Sequence, residues 1–396
     1  MKILIVSPTI YEEKTLNKNK RVIGLGVMLK DIFFHVSKSL DCVFFSTSET
    51  INSKKIGNMK IYSNLSHGKI SFITFTNIFL ALRLFINGVD IHTIKNKLLT
   101  YNAKRKFKKI ISKEKPNCIN YHDLGDLNCE LIEYGRSLNI KQIITLHLYI
   151  GKNATYPEYK KLQKNENDIL SKSDLKISVV STGMKNRILK DYPQINEKDI
   201  KVIVNGTNIG LKDNTQALNI QSKKLLLCIG NITPRKNQTQ IVRAISKMEM
   251  KERNKFEIYF LGADHENIIT SEIEKHECQD CLKYIGKVSL KEMETYYQKA
   301  SATITVSLNE GFGLTIIEGF SYGLPAIINS DLDSFYDIYN PSSCIAIKDR
   351  TDESLIESIN QLISTKWNKK DILNNATRFQ MNNVAKEYIK MYKEWG

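Results

Sequence analysis

Short apolar runs rich in β-branched residues alternate with longer amphipathic stretches along the whole chain, and no other feature constrains its fold as strongly. The earlier runs are Lys2–Val6, Cys42–Phe45, Cys118–Tyr121, Gln142–His147, Lys176–Val180 and Lys201–Val204. The later ones are Leu225–Ile229, Glu257–Leu261, Leu282–Ile285, Ala302–Val306 and Ala326–Ile328. Strands that alternate with helical segments read as βαβ units, because parallel neighbours can be joined only by a crossover. These runs are too many for one modest sheet, and 396 residues leave room for two or three domains. The segment 206–223 is polar and poorly periodic and separates the two series. It is expected to be the hinge between two doubly wound α/β domains. Between Asn383 and Trp395, Val384, Tyr388, Ile389 and Tyr392 recur at helical spacing, which predicts an amphipathic helix.

Composition narrows the partners. Hydrophobic residues at 42% and charged residues at 25% exclude a disordered or collagen-like chain. The net charge of +16 calls for an anionic partner: nucleic acid, a membrane surface or a phosphorylated ligand. Much of it falls in a basic stretch from Lys95 to Lys115, interleaved with Leu98, Leu99, Tyr101, Phe107, Ile110 and Ile111. That stretch reads either as a face that docks on anionic lipid or as a solvated helix surface. The most apolar segment, Ile70–Ile86, has 12 apolar residues in 17, short of the ~20 a spanning helix needs. It is expected to be a buried or half-buried helix, with monotopic membrane contact as the alternative. Seven cysteines without framework spacing favour a reducing cytoplasm. The opening apolar run is shorter than a signal-peptide core. Cys278 and Cys281 form a CxxC that lacks a second ligand pair, so no metal is expected.

Four segments could carry chemistry. In the first, Ser307-Leu-Asn-Glu310-Gly311-Phe312-Gly313-Leu314-Thr315-Ile-Ile-Glu318 follows a strand. Its glycines permit a tight turn and close ligand approach. A helix is expected from near Leu314 to Gly323, with Pro325 beyond it. The N–H groups of its first turn would attract phosphate. Glu310 would precede that helix and Glu318 would lie one turn inside it, so two carboxylates would flank one anion site. A carboxylate suits a vicinal sugar diol; otherwise Glu318 is a solvated helix residue. In the second, Gly230-Asn-Ile-Thr-Pro-Arg235-Lys236-Asn237, two cations are expected to open a helix. They suit a diphosphate or form an exposed charged helix start. The third is Arg21-Val-Ile-Gly24-Leu-Gly26, in the first βα connection. The fourth is a pair of strand-end histidines, His122 and His147, either structural or facing a ligand crevice.

With these residues in view, the chain resembles the family-4 retaining glycosyltransferases. Glu310-Gly-Phe-Gly-Leu-x3-Glu318 followed by Gly323-Leu-Pro325 is similar to their Glu-x7-Glu signature. Pro234-Arg-Lys-Asn237 is similar to their donor-phosphate segment, Asn205-Gly206 to their interdomain turn, and Thr145-Leu-His147 to their strand-end histidine. The resemblance implies a GT-B fold: two Rossmann-like domains facing a central cleft. It places an acceptor-binding domain at 1–205, a nucleotide-sugar domain at 206–380 and a helix at 381–396 that packs back on the first.

The resemblance also implies roles. Glu318 would bind ribose hydroxyls and Glu310 the donor sugar. The Gly311–Thr315 backbone, through Phe312, Gly313 and Leu314, would hold sugar and phosphate. Arg235 and Lys236 would neutralise the departing diphosphate. Gly26 would let a loop approach it, and His147 would lie near the transferred sugar. Lys287 and Val288, after the Ile285-Gly286 turn, are the expected base site. Two positions depart from the family pattern: Asn231 stands where many members carry arginine, and Leu25-Gly26 where Gly-Gly is usual.

The implied activity is retaining transfer from a UDP- or GDP-linked sugar to a glycan or lipid-linked acceptor in surface-polysaccharide assembly (O-antigen, capsule or exopolysaccharide). No cofactor and no metal are required. The expected location is cytoplasmic, peripheral on the inner membrane face, with no nucleic-acid partner. The competing readings are a soluble acceptor, a sugar-phosphate-forming or epimerising GT-B enzyme, a dead scaffold, and a basic nucleic-acid-binding protein.

Overall fold

A computed structural model of the chain describes residues 1–8, 10, 24–47, 55–64, 75–88, 90–172, 174–208 and 223–396. Arg21 and most of the segment expected to be a hinge lie outside the described residues.

The chain forms two units. The first comprises 1–180, 185–203 and 381–396, and the second 181–184 and 204–380. The strands of the first are β1 (Lys2–Ser7), β2 (Asp41–Ser46), β3 (Lys55–Ile56), β4 (Met59–Ser63), β5 (Cys118–His122), β6 (Lys141–Leu146), β7 (Lys176–Val179) and β8 (Ile200–Val202). They lie in one sheet in the order β3-β4-β2-β1-β5-β6-β7-β8. Every pairing is parallel except the β3–β4 hairpin. The inner strands are buried on both faces, as β1 shows from Ile3 to Ser7, which is why they read as continuous apolar runs.

The second unit holds β9 (Lys224–Ile229), β10 (Phe256–Leu261), β11 (Leu282–Gly286), β12 (Ala302–Ile304), β13 (Ala326–Asn329) and β14 (Cys344–Ile347). Their order is β11-β10-β9-β12-β13-β14, all parallel. This is the doubly wound order 3-2-1-4-5-6. Cys278 and Cys281 are buried in this unit's apolar core beside Ile273 and Leu282. The eleven expected strands are all present; β3, β4 and β14 are additional.

The helix Met381–Trp395 belongs to the first unit. Tyr388 and Tyr392 are fully buried. The Tyr392 hydroxyl accepts from Asn120 Nδ2 at 2.6 Å, and Thr145 donates to Asn120 Oδ1 at 3.0 Å. This locks the helix onto β5 and β6. Tyr388 packs edge-on against Phe33 of helix Gly24–Val36, with ring centres 5.8 Å apart.

One expectation is reversed. Among the described side chains of helix Phe75–Ile86, Phe79 is 73%, Leu82 53%, Phe85 62% and Ile86 80% exposed, so this apolar stripe is not buried. Helical periodicity says that one stripe is apolar, not which way it points.

Candidate active site

In the second sheet the chain direction of building reverses between β9 and β12, and doubly wound folds bind ligands beyond the carboxyl ends of such strands. Both motifs singled out in that half emerge there. After β9 the chain turns at Gly230 and enters a 3-10 turn, Pro234–Lys236, capped by the Thr233 hydroxyl. Asn237, at φ 53°, ends that turn before the helix Thr239–Ser246. The two cations therefore sit in a single turn ahead of the helix rather than opening it. Gly230 leaves room for Lys236 to fold back, with Nζ only 3.6 Å from where a Cβ would be.

After β12 comes the segment Ser307–Gly313, then the helix Leu314–Ser321. Glu310 is 8% exposed. Its Oε1 pairs with Lys236 Nζ and accepts from Ser307 Oγ at 2.9 Å; its Oε2 lies 3.5 Å from the Arg235 guanidinium. Arg235 also donates to the Asn309 carbonyl, and its own carbonyl accepts from Leu308 N at 2.8 Å. Burial raises the Glu310 pKa, but Lys236, Arg235 and Ser307 outweigh it and hold the carboxyl below its usual range. The cluster carries two positive charges against one negative. Arg350, paired with Asp331 at 2.6 Å, donates to the Ser307 and Leu308 carbonyls at 3.1 and 3.2 Å. Asn329 Nδ2 reaches the Ser307 carbonyl at 3.0 Å. Nothing in the local sequence announces these supports, which come from more distant segments.

Glu318 lies one turn inside the helix, as the spacing predicts, and has a partner of its own. The fully buried Tyr297 donates its hydroxyl to Oε2 at 2.7 Å and stacks on Tyr322 at 5.0 Å. Burial pushes the Glu318 pKa up to about 7, and the Tyr297 hydrogen bond opposes the shift. The sign of the linkage follows: the folded chain holds this proton more tightly than the unfolded one. Glu318 therefore costs stability as pH rises from the ordinary 4.5 to about 7. Melting temperatures of the parent and Glu318→Gln should diverge over that interval, the parent losing ground as pH rises. A pH-independent difference would refute this.

The remaining expected residues are placed as follows. Gly313, at φ 90°, caps the helix, where any Cβ would press on Ile316 at 2.8 Å. Gly311 and Phe312 are buried, and Phe312 anchors the loop edge-on against Phe379 at 5.8 Å. Leu314 and Thr315 form the first helical turn and are half-buried. Lys287 is exposed just past β11, two strands from β9; Val288 is partly buried against the apolar cluster that includes Leu225, Leu227 and Tyr297. Gly26 is a buried residue in the first turn of helix Gly24–Val36, at the end of the first βα connection.

His147 belongs to the first unit, just past β6. Its Nε2 is 2.8 Å from Nδ1 of His122, and the rings lie 5.1 Å apart and nearly parallel. Burial, then the neighbouring His147, push the His122 pKa well below the usual range, which favours its neutral form. The backbone beyond His147 is held by the buried Glu166 and the half-buried Arg187, neither of which was expected from the sequence. Glu166 accepts from Ile150 N at 3.0 Å and Gly151 N at 3.3 Å, and Arg187 donates to the Ile150 carbonyl at 2.9 Å. A lone glutamate within a charged helix offers no signal of such a role.

Residues 212–379, which lie within the second unit, match the family model described as Glycosyl transferases group 1. The second unit is a group 1 glycosyl transferase domain. The matched span includes both loops described above, Pro234–Lys236 and Glu310–Glu318. Among curated proteins, the chain is 24% identical over 172 residues to O-antigen chain mannosyltransferase B of Escherichia coli, covering 42% of this chain and 45% of that one. It is 27% identical over 188 residues to O-antigen chain mannosyltransferase RfbU of Salmonella typhimurium, covering 47% and 51%. The chain thus spans about half the length of these relatives. Among solved structures, sucrose-phosphate synthase from Thermosynechococcus elongatus superposes with a TM-score of 0.75 at 14% identity, covering 100% of this chain and 99% of that one. That likeness is one of fold, and the fold is GT-B.

Proposed function

We propose that this chain is a retaining glycosyltransferase that moves a sugar from a nucleoside-diphosphate donor to a glycan acceptor in surface-polysaccharide assembly. The observation that carries the reading is the cluster at the β9–β12 switch point. Lys236 and Arg235 meet Glu310 beside the start of a helix whose next turn presents Glu318. A diphosphate bound there would share the two cations with Glu310 and face the N–H groups of the first helical turn. Glu318, fixed by Tyr297, would accept from the ribose hydroxyls.

In the transfer itself, an acceptor hydroxyl bonds to the anomeric carbon as the bond from that carbon to phosphate breaks on the same face. The hydroxyl proton passes to the departing phosphate oxygen. Negative charge grows on that oxygen, and Lys236 and Arg235 supply the countercharge that a metal ion supplies elsewhere. For His147 we propose contact with the transferred sugar, and for Lys287–Val288 contact with the base. The names of the E. coli and Salmonella relatives put mannose first among the sugars to test.

No helix among the described residues is long and apolar enough to cross a membrane. We propose that the protein works peripherally at the cytoplasmic membrane face on a lipid-linked acceptor.

The test is a thermal-shift panel of UDP, GDP, ADP, CMP and their sugar conjugates on the parent and Glu318→Ala. One nucleotide should raise the melting temperature selectively. Glu318→Ala should weaken that nucleotide by roughly tenfold to a hundredfold, because a hydrogen bond to a charged group contributes about 1.5–3 kcal/mol. No shift with any nucleotide would defeat the reading. A shift with oligonucleotides alone would assign the basic charge to nucleic acid.

A further inference from the structure

We infer that helices Phe75–Ile86 and Ile91–Glu114 of the first unit form one lipid-docking surface, with the first inserting its apolar stripe among acyl chains and the second reading anionic headgroups. At 100° per residue, Phe79, Leu82 and Ile86 share one side of their helix, with Phe85 flanking it. All four point into solvent, and Ile91, at the start of the next helix, is 76% exposed. An exposed apolar patch of this kind is unusual on a soluble monomer and marks a contact.

The charge alongside it has one sign. Residues 75–113 hold nine basic side chains and a single acid, Asp90, which is used up capping the second helix. That helix's other acid, Glu114, is 4% exposed and turned inward, where Tyr62 donates to it at 2.7 Å and Lys60 at 3.0 Å. Arg105, Lys108 and Lys109 face outward and, among the described residues, pair with no carboxylate. With Ser112 and Lys113 they line a shallow open hollow.

The combination selects the occupant. A nucleic acid would satisfy the cations but leave four large apolar side chains in water. A second copy would bring two strongly basic faces together. An anionic bilayer meets both demands: interfacial insertion of the stripe, and attraction of the cations to headgroups. This surface is built from residues of the first unit and the proposed donor site from residues of the second, so the two readings can fail separately.

The experiment is flotation of the full chain with vesicles of phosphatidylcholine alone, or with about one third phosphatidylglycerol, where each surface cation adds attraction. The parent should float with the anionic vesicles and roughly tenfold less with the neutral ones. Two triple variants, Phe79→Ser/Leu82→Ser/Phe85→Ser and Arg105→Glu/Lys108→Glu/Lys109→Glu, should each lose binding by at least about tenfold. Both should keep the nucleotide thermal shift of the parent. A Phe79→Trp reporter should shift its emission to the blue on anionic vesicles only. Equal flotation with both vesicle types would overturn the inference, as would parent-like binding by the apolar variant. A dimer in solution that the apolar variant dissociates, without vesicle binding, would give the face to a second copy instead. Binding to an oligonucleotide that the apolar variant leaves intact, without vesicle binding, would give it to nucleic acid.

Discussion

Lys236→Ala is expected to lower kcat by on the order of a hundredfold or more, with a much smaller change in donor KM. On the proposed reading the lysine would face the place where charge develops as the sugar leaves, and removing one such partner typically costs about 2.7–4 kcal/mol in the transition state. The intact donor already carries its two phosphate charges, so ground-state binding changes less. The structure adds a complication and its control. Lys236 also neutralises the buried Glu310, whose other contacts are Arg235 at 3.5 Å and Ser307 at 2.9 Å. If the loss arose from a stranded Glu310 carboxylate, Lys236→Ala/Glu310→Ala would recover turnover. If it arises from missing charge at the leaving group, the double variant stays as slow as the single one or slower. Unchanged turnover in Lys236→Ala would remove the lysine from the mechanism.

Gly262→Ala should be the most destabilising small substitution in the second unit. A Cβ at that position would overlap the carbonyl of Gly230 and lie 2.8 Å from Asn231 N. Those are backbone atoms that cannot swing aside. The two strand ends are tied beyond the sheet: Gly230 N donates to the Leu261 carbonyl at 2.8 Å and Ile232 N to that of Ala263 at 2.8 Å. Asn231 Oδ1 accepts from Ala263 N at 3.1 Å, which gives this asparagine a structural task where arginine is usual. Overpacking costs about 1–3 kcal/mol where side chains can adjust, and a rigid backbone neighbour puts this case at or above the top of that range. A loss of about 3 kcal/mol lowers the transition of a unit this size by roughly 6–12 °C. Gly88→Ala is the control: it has a similar need for glycine, at φ 74°, but nothing within 4 Å. Calorimetry should show Gly262→Ala well below Gly88→Ala. Equal melting would refute the packing argument.

Strands such as β1 and β9 were legible because they are buried on both faces, which turns each into an unbroken apolar run. The exceptions explain themselves. Lys55–Ile56 and Met59–Ser63 form an edge hairpin with exposed lysines, and Cys344–Ile347 is a four-residue strand at the edge of the second sheet. The site was legible where glycine and proline punctuate strand ends, at 230–237 and 307–325. Its supports were not. Tyr297, Arg350 and Glu166 act across 21, 43 and 16 positions, and pairing at such a distance leaves no local pattern. Phe75–Ile86 was recognisable as helical, but its orientation depends on what surrounds it.

The helix Met381–Trp395 makes the first unit discontinuous in sequence, while the second is nearly contiguous from 204 to 380. Order of synthesis therefore matters. When residue 380 leaves the ribosome, the glycosyl transferase unit is complete, but the sheet that carries His147 still lacks the helix that covers Phe33, Asn120 and Thr145. Domains generally fold as they emerge, the earlier-made one first. Here the first-made unit is the last to close, and its apolar surface waits through the translation of an entire domain.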